Sequence, residues 1–142
     1  MMGGTIIAFM GGLHLYWPKM FGRMYNEWGG KIGFVLVFIG FNTTFFPQFI
    51  VGLNGMPRRY AAYLPEFQFY NQVSTVGSWM IAVGVIIAFI NFLICARVGA
   101  KAPANPWGSK TLEWTHTSSP PITHKFESDP SVSGGPYEYG SA

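Results

Sequence analysis

Residues 32–60 read IGFVLVFIGFNTTFFPQFIVGLNGMPRRY and predict a membrane helix that ends just before a pair of arginines. Residues 32–57 carry no formal charge, and Arg58 and Arg59 follow directly. A helix needs about 20 residues to cross a hydrocarbon core of ~30 Å. Because lipid offers the backbone no hydrogen-bond partner, such a segment must bond its own amides, and we therefore predict an α-helix.

The composition of the whole chain is typical of a membrane protein. Only 11% of the 142 residues are charged, whereas 49% are hydrophobic and 18% are aromatic; soluble domains carry about 25% charged residues. The net charge is +3 and the basic residues are scattered, so no pattern indicates nucleic-acid binding. Cys95 is the only cysteine and lies in an apolar run, where we expect it to pack as a small hydrophobic residue.

Two other stretches, residues 1–18 and 67–96, also lack formal charge. We therefore predict an all-α membrane protein with three transmembrane helices inside a membrane region at residues 1–98. The predicted spans are about 1–18, 32–53 and 74–96. Pro47 lies inside the second span, where it removes an amide donor and is expected to kink the helix. Thr43 and Thr44 are expected to bond the carbonyls that this kink frees.

Residues 99–142 form a tail rich in proline, serine, glycine and threonine. They show no convincing helical or strand period and predict an extended extramembrane segment. Trp107 and Trp114 are large apolar groups that a free linker would not carry, so we expect the tail to dock on partner subunits. His116 and His124 are far apart in a segment without cysteine, and we interpret them as surface residues rather than zinc ligands.

The basic residues indicate an orientation in the membrane. Loop one, residues 19–31, carries Lys19, Arg23 and Lys31, and the tail adds basic residues close to the last span. The positive-inside rule therefore places loop one and the tail on the matrix or cytoplasmic side. Arg58 and Arg59 then lie on the opposite side, against the trend.

The arginine pair predicts a binding site for an anion. Two adjacent guanidinium groups repel each other, and this repulsion is less screened beside a low-dielectric wall. No acidic residue stands next to them, the nearest carboxylate in sequence being Glu66. Guanidinium groups are well shaped for bidentate binding of carboxylate or phosphate. The residues alone leave three anions open: a lipid phosphate, a carboxylate of another subunit, or an anionic cofactor.

Four stretches of the chain resemble subunit I of heme-copper cytochrome c oxidase, in that family's order. FIGFNTTFFPQFIVGLNGMPRRY, residues 38–60, resembles its eleventh transmembrane helix and the following loop. Residues 3–27, GGTIIAFMGGLHLYWPKMFGRMYNE, resemble the latter part of its tenth helix, and residues 71–94 resemble its last helix. NPWGSKTLEWTHTSSPPITHKFE, residues 105–127, resembles its C-terminal tail.

This resemblance implies a fold and a cofactor. The three spans would complete the twelve-helix bundle of subunit I. Arg58 and Arg59, in the M-P-R-R motif, would bind the propionates of the two hemes, and Gly3 and Gly4 would line the wall of the heme pocket. The assembled enzyme would take electrons from cytochrome c, reduce oxygen to water and pump protons.

The family's heme and copper histidines precede the segment that this chain resembles. We therefore expect a split subunit I, whose N-terminal part on a separate chain supplies the axial ligands. This chain would hold no catalytic residue and no metal ligand, and copper would be bound elsewhere in the complex. His14 lies in the first span, where we expect it to pack rather than to ligate. Other oxidase subunits and membrane lipid would be further partners.

The sequence also departs from the family and leaves alternatives open. Phe49 stands where the family usually has histidine, and Ala61 and Ala62 stand where it often has a polar and an acidic residue. A quinol-oxidising member of the superfamily remains an alternative, as does a non-catalytic membrane scaffold or assembly subunit. We expect a mitochondrial inner membrane in preference to a bacterial plasma membrane.

Overall fold

The computed structural model describes residues 2–59, 61–115 and 117–121, and nearly all regular structure in them is helical. A π-helical turn, Met2–Ile6, leads into α1. The α-helices are α1 (Ile7–Phe21), α2 (Glu27–Leu53), α3 (Gln68–Val98) and the single turn α4 (Leu112–Thr115). A 3-10 turn, Pro65–Phe67, precedes α3.

The described residues form two compact units. The helix-pair unit consists of the described residues up to Ile7 and of Glu27–Asn91, so it contains α2 and most of α3. The tail unit consists of Ala8–Asn26 and of the described residues from Phe92 onward. It contains nearly all of α1, the end of α3 and the described part of the tail. The arginine pair belongs to the helix-pair unit.

Among the described residues, two helices are long and apolar enough to cross a membrane. They are α2, with a mean hydropathy of 1.8 over an 18-residue window, and the continuous helical stretch Pro65–Val98, with a mean hydropathy of 2.5 over such a window. Helix α1 has 15 residues and follows the five-residue π-helical turn. Since α1 alone is shorter than the ~20 residues that a span needs, the first predicted span stays a prediction.

Helix α2 begins before the predicted charge-free span. Glu27 and Lys31 lie one helical turn apart on its exposed face and form a salt bridge of 2.9 Å. An acidic residue in the first turn also faces the positive end of the helix dipole. Both charges are thus compatible with the helix, and a search for charge-free residues alone places its start too late.

Glycine residues bring α2 and α3 into backbone contact. Gly33 lies opposite Gly84 and Gly40 lies opposite Gly77, so the two helices run antiparallel. A Cβ atom on Gly77 would lie 2.6 Å from the backbone nitrogen of Thr44, and one on Gly40 would lie 2.8 Å from the Gly77 carbonyl oxygen. Small residues let helices approach this closely in membranes, where close packing replaces the hydrophobic driving force.

Hydroxyl groups beside this contact bond to helix carbonyls. Ser74 Oγ on α3 donates to the carbonyl of Thr44 on α2 at 3.0 Å. Thr44 Oγ1 donates to the carbonyl of Gly40 at 2.7 Å. The hydroxyl of Thr44 thus bonds to a carbonyl one turn before it and not to the Thr43 carbonyl, which Pro47 leaves without its helical donor. The expectation for Thr43 stays a prediction. Helix α2 continues through Pro47 to Leu53.

In the tail unit, the described part of the tail packs against α1 of the same chain. Trp114 is 2% exposed, and its ring centroid lies 6.2 Å from that of Tyr16. Trp107 Nε1 donates to the carbonyl of Leu15 at 3.1 Å. The ammonium of Lys19 donates to the carbonyl of Thr117 at 2.9 Å and lies 4.9 Å from the centroid of the Trp114 ring.

These contacts refine the expectation for the tail. Its tryptophans do dock, but the surface they dock on is α1 of this chain, while docking on partner subunits stays a prediction. Leu112–Thr115 also forms one helical turn that the proline- and serine-rich composition did not predict. His116 and His124 lie outside the described residues.

The helix contact predicts a strong effect of a single methyl group. Gly77→Ala places Cβ against backbone atoms that cannot rotate away, so α2 and α3 must separate, at a cost of about 1–3 kcal/mol. Gly11→Ala is the control, because a Cβ there meets nothing within 4 Å. We expect Gly77→Ala to lower the thermal midpoint of the chain in detergent, followed by circular dichroism, and Gly11→Ala not to; equal midpoints would contradict the backbone contact.

The buried indole predicts how firmly the tail is held. Trp114→Ala removes a fully packed side chain at a cost of about 3–5 kcal/mol and should release the tail from α1. Leu112→Ala, in the same helical turn but at a side chain 41% exposed, is the control. Limited proteolysis should cut residues 101–113 faster in Trp114→Ala only, and equal cleavage of the two variants would contradict the docking.

Candidate functional site

The loop that carries the arginine pair begins with a sharp helix stop at the end of α2. The amide of Met56 donates to the carbonyl of Val51 at 3.0 Å, and the amide of Gly55 donates to the carbonyl of Gly52 at 3.3 Å. These two bonds form a Schellman motif, which needs a left-handed residue after the helix. Gly55 supplies it with φ +88°, so the chain leaves α2 in a defined direction.

The backbone at the arginine pair is strained. Arg59 has φ +63°, in the left-handed region that side chains with a Cβ rarely adopt. This conformation costs about 1–2 kcal/mol for an L-residue. Such strain is concentrated at ligand sites, where the surrounding structure holds a residue in place for binding.

A cleft of about 780 Å³ opens beside the two arginines. Its wall is largely apolar, and its polar side chains are Gln48, Arg58 and Arg59. The described residues that line it are Phe45, Gln48, Phe49, Val51, Gly52, Leu53, Met56, Pro57, Arg58 and Arg59. An apolar cleft with cationic groups at one edge suits a ligand that has an apolar body and an anionic end.

The charges of Arg58 and Arg59 are not neutralised by the described part of the chain. Both residues are exposed, and neither forms an ion pair or hydrogen bond with another described residue. The single salt bridge among the described residues joins Glu27 and Lys31. Two adjacent cations without an internal counter-ion can therefore accept an external anion.

The two glycines predicted to line a heme pocket have different surroundings. A Cβ on Gly3 would lie 2.5 Å from the end of the Phe41 ring, so the lack of a side chain at Gly3 makes room for Phe41 within the helix-pair unit. A Cβ on Gly4 would meet nothing within 4 Å. Neither glycine lies in the lining of the cleft beside the arginines. Their role beside heme stays a prediction.

His14 packs among aromatic rings of the tail unit. Its Nδ1 donates to the carbonyl of Met10 at 2.7 Å, and its ring centroid lies 4.6 Å from that of Phe92 and 4.8 Å from that of Tyr25. This environment agrees with the interpretation of His14 as a packed residue. Across the described residues, no group of three or more histidine, cysteine, aspartate or glutamate side chains could hold a metal ion.

The heme that the resemblance implies would meet the described arginines at its carboxylate groups. Two unpaired guanidinium groups beside an apolar cleft fit carboxylate groups carried by an apolar macrocycle. The His14 ring is enclosed by aromatic rings; its Nδ1 bonds to the carbonyl of Met10, and its Nε2 is buried without a hydrogen-bond partner among the described residues.

These features define a helical membrane polypeptide with a cationic loop beside an apolar cleft. The family model for cytochrome c and quinol oxidase polypeptide I matches residues 1–80. The chain belongs to this family, and it corresponds to the C-terminal part of subunit I. The predicted family is thereby confirmed.

Individual relatives agree with this assignment. The chain is similar to cytochrome c oxidase subunit 1 of Bacillus sp. PS3, with 46% identity over 94% of this chain and 22% of the relative. It is 45% identical to the Synechocystis subunit 1 over 99% of the chain and 25% of that relative. It is 43% identical to the heme-copper oxidase subunit I+III of Aeropyrum pernix over 93% of the chain and 16% of that relative.

The chain spans about a quarter or less of the length of these relatives. Two of the relatives are named as cytochrome c oxidase subunits and the third as a heme-copper oxidase subunit. All three organisms are prokaryotes, so the expectation of a mitochondrial inner membrane gains no support.

Sequence reasoning found the arginines but missed part of the site. The strain at Arg59 and the position of Gln48 in the cleft wall were not predicted. The N-G-M-P segment was a usable signal for the sharp stop, since glycine after a helix and proline shortly beyond it are typical of helix C-termini.

Substitution of Gly55, which ends α2, should affect the backbone conformation of the loop without creating a steric clash. A Cβ at position 55 would meet nothing within 4 Å, so only the left-handed backbone opposes a substitution. Gly55→Ala should cost about 1 kcal/mol, and Gly55→Asn less, because asparagine tolerates this region better. Hydrogen exchange of residues 54–59 should increase in the order wild type, Gly55→Asn, Gly55→Ala; faster exchange in Gly55→Asn than in Gly55→Ala would contradict the motif.

Proposed function

We propose that this chain is the C-terminal part of the heme-bearing subunit of a respiratory terminal oxidase, and that Arg58 and Arg59 bind heme propionates. The observation that carries the proposal is the pair of unneutralised guanidinium groups at the edge of a largely apolar cleft. Family membership supplies the cofactor whose shape and charge fit that cleft.

The proposed task of the arginines is electrostatic. A carboxylate near a low-dielectric region loses much of its hydration, and a charge-assisted bond to guanidinium offsets this loss. The pair would also contribute positive potential near the heme iron, which makes reduction easier. The bound hemes would supply electron transfer and oxygen binding, and the protein sets their potential through charge and hydrogen bonding.

The remainder of subunit I would supply what this chain does not. The axial histidines and the copper ligands would come from the preceding helices of subunit I. Helix α1, with its π-helical turn, α2 and α3 would then be the last three spans of the twelve-helix bundle. The complete complex would oxidise cytochrome c, reduce oxygen and pump protons together with other subunits and lipid.

The electron donor and the location follow from the same proposal. The relatives are named cytochrome c oxidase subunits, which favours cytochrome c over quinol as the donor. We propose the respiratory membrane of a prokaryote. Loop one and the tail would face the cytoplasm because of their basic residues, and the arginine pair would face the opposite side.

Substitution of the arginines tests the proposal through the heme potential. Arg58→Ala and Arg59→Ala should each lower a heme midpoint potential, on the order of tens of mV, because a nearby positive charge is lost. Arg58→Lys and Arg59→Lys keep the charge but lose the bidentate fork, so their shift should be smaller. The measurement is a spectroscopic redox titration of the purified oxidase, with heme content determined in parallel.

Arg97→Ala is the matched control. It also removes one exposed arginine, but from the last turn of α3 rather than from the loop after α2. Its potentials and heme content should equal those of the wild type. Unchanged potentials and heme content in both alanine variants at positions 58 and 59 would overturn the propionate role.

A further inference from the structure

We propose that Asn71 is a positioning residue that holds the wall of the arginine cleft in its binding shape. Its side chain joins Gln48, on α2, to Met56, in the loop, from a single point on α3. Both of these partners line the cleft, whereas Asn71 does not. The inference rests on the proposed function only for what the cleft binds.

The first arm of this network fixes Gln48. Its Nε2 donates to Oδ1 of Asn71 at 3.1 Å. Gln48 is half-buried and, of the described residues that line the cleft, is the only one with an uncharged polar side chain. A glutamine side chain has several rotamers of similar energy, and a hydrogen bond to a neighbouring helix selects one of them.

The second arm fixes the loop. Asn71 Nδ2 donates to Sδ of Met56, with 3.7 Å between nitrogen and sulfur. Met56 immediately follows the glycine that stops α2 and precedes Pro57, which leads into Arg58. A restraint on Met56 therefore acts two residues away from the first guanidinium group.

A third bond keeps the amide of Asn71 in one orientation. Its Nδ2 also donates to the carbonyl of Phe67 at 2.9 Å, and Phe67 is buried in the 3-10 turn that precedes α3. The two hydrogens of the amide nitrogen and its oxygen are thus all used. This donor and acceptor set requires a carboxamide of this length, since an aliphatic side chain makes none of the three bonds.

A positioning role of Asn71 and a role in packing the two helices predict different effects of its removal. Loss of the amide leaves Gln48 without its partner and frees Met56, yet it removes no contact between the glycines of α2 and α3. The expected consequence is local loosening of residues 54–59 with the helix pair intact. In the assembled oxidase, a loosened loop should weaken the effect of the arginines on the heme.

The test uses the assembled oxidase with two readouts, hydrogen exchange of residues 54–59 and the heme midpoint potentials. Asn71→Ala should speed exchange several-fold and lower a potential by less than Arg58→Ala does. Met56→Leu, which removes only the sulfur acceptor, should speed exchange to a smaller extent. Asn71→Gln keeps a carboxamide, so its exchange rate and its heme potential should lie between those of Asn71→Ala and those of the wild type.

Thr75→Val is the control, because Thr75 lies one turn further along α3 and its hydroxyl bonds only to the Asn71 carbonyl. It should leave exchange and potentials unchanged. Unaltered exchange of residues 54–59 in both Asn71→Ala and Met56→Leu would overturn the inference. Met56→Leu keeps the inference testable if Asn71→Ala fails to assemble.

The two proposals fail in different ways. If Arg58→Ala shifts a heme potential but Asn71→Ala and Met56→Leu change neither potential nor exchange, the positioning role is overturned and the propionate role stands. If Asn71→Ala speeds exchange while Arg58→Ala and Arg59→Ala change neither a potential nor the heme content, the positioning role stands and the heme assignment of the cleft is overturned.

Discussion

The backbone contact between α2 and α3 is the constraint on which the site depends. Gly40 and Gly77 let the two helices meet without intervening side chains, and Gly33 and Gly84 repeat this contact further along. A rigid pair holds the end of α2 at a constant distance from the start of α3. The short loop between them can therefore carry strain and charge that a free loop would lose.

Electrostatics gives this loop its chemical character. The chain places two cations together, supplies no acidic partner among its described residues, and sets them beside an apolar cleft. Each feature alone is common on membrane proteins. Together they favour a ligand with acidic groups on an apolar body, and this conclusion agrees with the family to which the chain belongs.

The sequence predicted the two long apolar helices better than it predicted the site. Length and lack of charge located α2 and α3. Helix α2 begins earlier than the count of charges predicted, because Glu27 and Lys31 form an exposed ion pair in its first turns. Arg58 and Arg59 were recognised because charge is rare in such a chain. The role of Asn71 depends on one bond to α2 and one to the loop, and pairings between segments far apart in sequence leave no local signal.

The most direct test of the account is a density map of the assembled oxidase at a resolution that shows side chains. The account predicts that the guanidinium groups of Arg58 and Arg59 lie within hydrogen-bonding distance of heme carboxylates, with the axial histidines contributed by other helices. A map in which both side chains face lipid or bulk water, with no heme in reach, would contradict it.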